Sequence, residues 1–180
     1  NQLKCNVDKS KAVIFAKNAP VLNFGSLNIA IQSHLKYLGI KIDESLTFKD
    51  HVHKIKSKLL FCNYIVLRTR TLLTRTQLFA YYRTHVKPIV QYGVLVYACN
   101  AYSNLSDIFK VQKRIIRSIC FLPKYGSVSD IMSQNELPTV YELHVYELLK
   151  FALCCIRQEH SHDFLNSISS EIDIKYAFAL

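Results

Sequence analysis

A dense run of cationic side chains occupies the second quarter of the sequence. Nine lysines and arginines lie between Lys49 and Lys87, and Asp50 is the one acid among them. The whole chain has 23 Lys and Arg against 13 Asp and Glu, a formal net charge of +10. Cations at this density favour a polyanionic partner over an acidic small molecule. An ordinary cationic surface without a partner is the alternative.

Two groups of cations lie at helical spacing, where they can share a surface. In the cationic run, the candidates for contact with phosphates are Lys54, Lys58, Arg68, Arg70 and Arg75. A second stripe, on the polar face of a later predicted helix, consists of Lys110, Lys113, Arg114 and Arg117. Such side chains hold a phosphate backbone without reading its sequence. For the second stripe, a merely solvated helix face is the alternative.

Histidines and cysteines form three short clusters that could bind a metal ion. They are His51 with His53, His160 with His162, and Cys154 with Cys155. Structural zinc sites separate their paired cysteines by two to four residues, whereas Cys154 and Cys155 are adjacent, so we expect no metal site. These two cysteines are instead predicted to face the core from the last helix. Six scattered cysteines indicate reduced thiols of an intracellular protein, in the cytoplasm or the nucleus.

Short apolar runs near the beginning of the chain predict strands. Half of all residues are hydrophobic, so most of the chain is expected to pack, and no run of about 18 apolar residues predicts a membrane span. Residues 12–15, 27–31 and 37–42 are apolar or alternate with period two, which is typical of strands. We expect these three strands to form one sheet edge, with Asn23, Gly25 and Ser26 in the first turn.

From Thr47 onward the period becomes helical. One face of the first predicted helix carries Val52, Ile55, Leu59, Asn63, Val66 and Arg70. A second helix is expected to begin at Thr74 or Thr76, since threonine caps helices. It should continue past Pro88 with a kink, because residues 89–97 remain apolar.

Three further helices are predicted in the second half of the chain. Ser103 or Asn104 should cap the first of them, and Pro123 should stop it. A short helix near residues 127–132 and a longer one over residues 139–157, beginning after Pro138, follow. The fold class is therefore α+β and mostly α, with a short N-terminal strand cluster before a helical bundle. The predicted divisions are 1–45, 46–124 and 125–180.

Several motifs occur in a characteristic order along the chain. Asn6, Lys9 and Ser10 precede an apolar strand, Tyr37-Leu38-Gly39-Ile40 follows, and Gln112-Lys113-Arg114-Ile115-Ile116-Arg117 comes later. Over residues 6–149 this order resembles the last part of a non-LTR, LINE-type retrotransposon reverse transcriptase, from the end of the palm through the primer grip into the thumb and connection. One departure is Tyr97, which stands where the family usually has a tryptophan after Tyr92-Gly93.

The resemblance implies that this chain is a fragment of an RNA-directed DNA polymerase that binds and positions primer-template nucleic acid. Residues 1–45 would then hold the end of the palm and the primer-grip hairpin, and residues 46–124 the thumb. Tyr37, Leu38 and Gly39 are implied to contact the nucleic acid, with Gly39 allowing a tight bend or a close approach. The missing palm and fingers are implied protein partners, and no membrane partner is expected.

Catalysis is not expected of this chain alone. Nucleotidyl transfer needs carboxylates fixed together to hold two divalent cations, and no two aspartates are neighbours here. The adjacent acids Asp43 and Glu44 are predicted to serve a turn. The resemblance implies that the catalytic carboxylates, with Mg²⁺, belong to a part of the parent before Asn1. Lys9 is an implied general acid in an intact parent, and this chain is expected to need no cofactor.

A function of another class stays open on the sequence. The helices could form a non-catalytic scaffold that binds a protein partner, with a basic surface that is incidental.

Overall fold

The structure, a computed structural model, describes residues 11–15, 30–98 and 102–156. Within these ranges the chain is mostly helical and begins with short strands, so the predicted α+β, mostly α class is confirmed. The motif containing Asn6, Lys9 and Ser10 lies outside the described residues. So do residues 27–29 of the second predicted strand, its turn at residues 23–26, and the tail from residue 157.

The strands form two separate pairs within the described ranges, so the prediction of three strands at one sheet edge is wrong. Strand β1 (Lys11–Ala12) pairs in parallel with β2 (Ala30–Ile31). Strand β3 (His34–Tyr37) pairs antiparallel with β4 (Ile40–Asp43). Residues 13–15, predicted as part of a strand, lie outside any strand.

A tight turn at Leu38 and Gly39 makes a hairpin in the segment that the apolar pattern predicted as one strand and the family resemblance implied to be a hairpin. Their φ angles are 45° and 85°, and two consecutive residues with positive φ are the requirement of a type I′ hairpin turn. Glycine adopts this conformation without strain, whereas it costs leucine roughly 1–2 kcal/mol. The hairpin therefore places a strained, exposed leucine at its tip.

Helix α1 (Lys49–Thr69) follows the hairpin, and Asp43 holds the two together. The Asp43 carboxylate accepts hydrogen bonds from the Thr47 N–H and hydroxyl, both at 2.9 Å, and from the Phe48 N–H at 2.7 Å. Burial opposes ionisation of this carboxyl, but these hydrogen bonds outweigh it and lower the pKa of Asp43. The predicted turn role of Asp43 is confirmed.

The buried face of α1 confirms the predicted helical periodicity. It consists of His51, Val52, Ile55, Leu59, Cys62, Asn63 and Val66. The helix begins at Lys49, two residues later than predicted, because Thr47 and Phe48 form the turn that Asp43 closes.

The second helical stretch continues through Pro88, as predicted, and breaks farther on. Helix α2 (Arg75–Tyr81) begins after Thr74, whose hydroxyl and backbone form a reciprocal capping box with Gln77. A π-helical turn (Tyr82–Val86) leads into α3 (Lys87–Gln91), which contains Pro88. Pro88 has no backbone N–H and cannot donate a helical hydrogen bond. The wider π-helical turn before it accommodates this missing bond.

The break at Gly93, before α4 (Val94–Ala98), was not predicted. Gly93 has a φ of 70°, and a Cβ atom there would lie 2.8 Å from Cδ1 of Ile40. Only glycine therefore lets the hairpin approach this closely. The apolar residues 89–97 are divided between two helices for this tertiary reason.

Helix α5 (Tyr102–Ile119) already includes Ser103 and Asn104, so the prediction that one of them caps it is wrong. The Asn104 amide instead donates to the carbonyl oxygens of Thr47, at 3.0 Å, and Tyr97, at 3.2 Å. Asn104 thereby joins α5 to the beginning of α1 and the end of α4.

Two helices complete the described chain, close to their predicted positions. They are α6 (Ser129–Gln134) and α7 (Val140–Ile156). The Thr139 hydroxyl accepts from the Glu142 N–H at 3.2 Å, and the Glu142 carboxylate accepts from the Thr139 N–H at 2.7 Å, which caps α7. Cys154 and Cys155 are only half-buried, so their predicted place in the core is wrong.

Gln112 connects three parts of the core through a fully buried side chain. Its amide nitrogen donates to the Tyr82 hydroxyl at 2.6 Å and to the Pro138 carbonyl at 2.8 Å. Its oxygen accepts from the Val140 N–H at 3.1 Å. Burial raises the pKa of Tyr82 to about 12, so its hydroxyl stays protonated. Buried residues before and after residue 124 belong to the same hydrophobic core. The predicted domain division at residue 124 stays a prediction.

Replacing Gln112 with alanine is expected to destabilise the chain by about 2–4 kcal/mol, because three buried polar groups lose their partner and a cavity forms. Urea unfolding followed by circular dichroism measures the change. Gln134→Ala, at an exposed site on α6, should stay within about 0.5 kcal/mol of the wild type. Equal midpoints for the two variants would contradict the role given to Gln112.

Candidate nucleic-acid interface

A groove about 420 Å³ in volume lies between the hairpin turn, α1 and α3, and we call it the hairpin groove. Its polar and aromatic lining consists of Lys36, Gly39, His51, Lys54, Lys58 and Tyr92. Ile55, Pro88 and Ile89 complete it. The groove brings together three predicted site residues: Gly39, Lys54 and Lys58.

Positive charge accumulates around this groove without a counter-charge. The pKa of Lys54 is lowered most by the nearby charge of Lys36. Slight desolvation and the charges of Lys58 and Lys41 lower it further. Register pairs Lys36 directly with Lys41 across the two hairpin strands. The ion pairs within the described ranges join Asp107 to Lys56 and to Lys110, so none of these four lysines has an acidic partner there. Like charges this close repel each other unless an anion binds between them.

The tip of the hairpin projects beside the groove. Tyr37 is 63% exposed and Leu38 72% exposed. The Tyr92 hydroxyl donates to the Leu38 carbonyl, and the Tyr92 ring lies against Gly39, where a Cβ would be 3.6 Å from the ring. Tyr92 thus holds the turn by its hydroxyl and its ring, and Gly93, which has no side chain, leaves room for Ile40.

His51 lies in the floor of the groove as a buried, neutral side chain. Its Nδ1 accepts from the Lys41 N–H at 3.4 Å, which assigns the proton to Nε2. Burial, and then the charges of Lys54, Lys58 and Lys41, lower the pKa of His51. Its Nε2 is buried without a hydrogen-bond partner in the described chain. His51 therefore adds no charge to the groove near neutral pH.

A second groove, of about 740 Å³, lies between α1 and α5, and we call it the α1–α5 groove. It brings together five predicted site residues: Arg70, Lys110, Lys113, Arg114 and Arg117. Lys124 and Tyr125 also line it. The predicted cations of α1 are consequently divided, with Lys54 and Lys58 in one groove and Arg70 in the other.

Two of the predicted cations, Arg68 and Arg75, line neither groove. Arg68 donates through Nε to the Tyr64 hydroxyl at 3.2 Å, and its guanidinium lies 5.3 Å from the centre of the Tyr64 ring. Arg75 is exposed in the first turn of α2. The role of each predicted residue in binding stays a prediction.

The described residues do not fit a catalytic magnesium site. Over residues 11–15, 30–98 and 102–156, no three His, Cys, Asp or Glu side chains come close enough to hold a metal ion. Asp43 is engaged by Thr47 and Phe48, and Asp107 by two lysines. Lys9, His160 and His162 lie outside the described residues.

The sequence also missed residues that build the hairpin groove. Lys36 was not singled out, although alternation in a hairpin with a turn at residues 38–39 places it opposite Lys41. Tyr92 was noted for the motif that it forms with Gly93, and His51 as part of the family resemblance and as a metal-ligand candidate, but neither was predicted to build a groove. Their roles depend on contacts between distant elements, which no local pattern reveals. Of the helices that are described, none is long and apolar enough to cross a membrane.

Three relatives match most of this chain and a small part of their own length. The RNA-directed DNA polymerase from mobile element jockey of Drosophila funebris is 29% identical over 122 residues, which is 64% of this chain and 13% of that protein. The jockey polymerase of Drosophila melanogaster is 29% identical over 143 residues, 76% of this chain and 16% of that protein. The probable RNA-directed DNA polymerase from transposon BS of Drosophila melanogaster is 30% identical over 114 residues, 61% of this chain and 12% of that protein.

These relatives are reverse transcriptases of non-LTR, LINE-type retrotransposons, so the resemblance seen in the sequence is confirmed. This chain is homologous to a segment of such enzymes and spans 12 to 16% of the length of the curated relatives named here. No protein-family model matches the chain. No solved structure matches it significantly.

The stability of the chain is expected to fall as the pH drops from about 7.5 to about 5.5. The pKa values of His51 and His144 are lowered from 6.5 in the folded chain, mainly by burial, so the unfolded chain binds protons first. The stabilisation is present above the ordinary histidine pKa and is lost below it. Asp43 and Asp107, whose pKa values are lowered, stay ionised in this range. Thermal unfolding at several pH values measures the effect.

His51→Leu should reduce the pH dependence of the unfolding temperature. His53→Leu is the matched control, because His53 is exposed on the same helix. A pH dependence as steep in His51→Leu as in the control would contradict a buried, neutral His51.

Proposed function

We propose that this chain binds and positions an RNA–DNA primer-template, as a segment of the RNA-directed DNA polymerase of a non-LTR retrotransposon. The uncompensated positive charge of the hairpin groove carries the proposal. Lys36, Lys54 and Lys58 line one groove, and their mutual repulsion is relieved when a phosphate backbone binds. The homologous polymerases act by name on an RNA template, and they support this choice of polyanion.

The hairpin tip supports a role in positioning the primer end. Tyr37 offers an exposed ring that can stack on a base or a sugar, and Leu38 keeps a strained left-handed conformation beside it. Strained, exposed apolar residues are more common at functional sites than elsewhere. Tyr92 and Gly93 hold the turn in place, so the tip is preorganised for contact.

Nucleotidyl transfer is assigned to the parent polymerase rather than to this chain. The described carboxylates are dispersed, and the chemistry needs several of them around two Mg²⁺ ions. We propose that the palm and fingers of the parent supply them and are the protein partners of this chain. Lys9 is proposed as a general acid in that intact parent alone.

The proposed location is intracellular, in the cytoplasm or the nucleus. Cys62 and Cys120 are buried as free thiols, and Cys154 and Cys155 are also unpaired. Unpaired cysteines in a packed core are typical of reducing compartments.

A scaffold function is the second candidate, and the outer face of α7 favours it. That face exposes a set of large apolar side chains: Val145, Tyr146, Leu148, Leu149 and Leu153. Contiguous apolar surface of this kind marks protein contacts. Self-association in gel filtration together with no electrophoretic shift of an RNA–DNA hybrid would favour the scaffold over the proposed function.

Neutralising three lysines of the hairpin groove, by Lys36→Gln, Lys54→Gln and Lys58→Gln together, is expected to weaken binding of an RNA–DNA primer-template. Each lost phosphate contact should lower the slope of log affinity against log salt by about 0.9, hence about 2.7 for three. Fluorescence anisotropy with a labelled primer-template at several salt concentrations measures both quantities.

A matched control removes the same charge elsewhere, by Lys11→Gln, Lys49→Gln and Lys150→Gln, all at exposed positions. Its salt slope should stay close to that of the wild type. The proposal fails if the two triple variants lose affinity and slope equally, because net charge alone would then explain binding.

A further inference from the structure

We propose that the α1–α5 groove is a second binding site, which takes single-stranded nucleic acid while the hairpin groove holds the primer-template. The inference extends the proposed function but rests on other residues, since the two grooves share none of their lining. Its cationic lining contains no acid and consists of Arg70, Lys110, Lys113, Arg114, Arg117 and Lys124.

Three cations of this groove, Arg70, Lys113 and Arg117, are held in place by neutral groups rather than by carboxylates. Arg117 donates through Nε to the Gly126 carbonyl at 2.9 Å, and the Arg70 guanidinium lies 4.6 Å from the centre of the Phe121 ring. Nζ of Lys113 lies 4.4 Å from the centre of the Phe109 ring. Carbonyl and ring contacts orient a cation without neutralising it, so the charges remain available to phosphates.

One cation of the groove does have an acidic neighbour. Lys110 lies 3.1 Å from Asp107, with the Lys110 side chain exposed and the Asp107 side chain about half-buried, and Asp107 also pairs with Lys56 at 2.9 Å. A single carboxylate shared between two lysines on the rim leaves most of the positive charge of the groove uncompensated. Exposed pairs of this kind are weak and exchange readily for a phosphate.

An aromatic ring at the end of the groove indicates a single strand rather than a duplex. Tyr125 lines the groove and is 86% exposed, and Nζ of Lys124 lies 5.4 Å from the centre of its ring. Exposed rings beside cations bind unstacked bases, whereas the bases of a duplex already stack on each other. The four cations of α5 span about 10 Å, which corresponds to about three phosphates.

The two grooves lie on different sides of α1. At 3.6 residues per turn, Arg70 is rotated by about 120° from Lys58 and by about 160° from Lys54 around the helix axis. Packed residues of α1, among them Leu59 and Val66, lie between the two directions and form the core. A strand in the α1–α5 groove therefore leaves the hairpin groove accessible, and the chain can hold both ligands.

The test compares two ligands with two sets of variants of the full chain. The probes are a labelled 12-nucleotide oligouridylate and a labelled RNA–DNA hybrid of equal length, measured by fluorescence anisotropy. Lys110→Gln, Arg114→Gln and Lys124→Gln together change three exposed side chains, so the fold should persist with an unchanged melting temperature. This triple variant should lower affinity for the oligouridylate at least tenfold and its salt slope by about 2, since each single-strand contact contributes about 0.7.

In that variant, affinity for the hybrid should fall less than about threefold. The triple variant of the hairpin groove should instead lose affinity mainly for the hybrid and less for the oligouridylate. Tyr125→Ala should weaken oligouridylate binding about 5- to 100-fold, the range of a lost base–aromatic stack, and Tyr125→Phe should restore it. An unchanged oligouridylate affinity, or equal losses for both probes, would overturn the second site. Equal losses would leave the proposed function intact, whereas a wild-type chain that binds neither probe would contradict both proposals.

Discussion

Asp43 accepts three hydrogen bonds at the point where the hairpin becomes helix α1, and this junction joins the hairpin to the helix that lines both grooves. On one side, the hairpin turn is brought against Tyr92 and Gly93, with Lys36 facing the lysines of α1. On the other side, α1 packs along α5 and leaves Arg70 beside the α5 stripe. Asn104 reinforces the junction, because its amide donates to the Thr47 carbonyl. The Asp43 carboxylate therefore joins the hairpin to α1, the helix that both cationic surfaces share.

The cost of this arrangement is concentrated positive charge. Lys36 and Lys41 face each other across the hairpin, and the lysines together lower the pKa of Lys54. The chain offsets that repulsion with a fully satisfied buried network around Gln112, and the neutral His51 adds no further charge. Stability is thus supplied by the core, whereas charge is concentrated where a phosphate backbone can bind. This separation is expected of a segment that holds nucleic acid and leaves the chemistry to other parts of an enzyme.

The sequence predicted what depends on local pattern. Apolar spacing located the buried face of α1, Thr74 was one of the two predicted caps of α2, and Pro138 preceded α7. Features that depend on distant contacts escaped prediction. The helix break at Gly93 follows from the approach of Ile40. The apolar pattern missed the turn at Leu38, an unusual residue for a positive φ, and the hairpin was implied by the family resemblance alone. Helical periodicity identified one face of α1, but it contained no information on which neighbouring element would lie beside each of its cations.

Lysine footprinting tests the central claim most directly. The chain is acetylated with and without an RNA–DNA primer-template, and modification at each lysine is quantified by mass spectrometry. The account predicts that Lys36, Lys54 and Lys58 become protected together, whereas exposed Lys49 and Lys150 react as before. Uniform protection of all five lysines, or protection of none, would contradict a phosphate-binding hairpin groove.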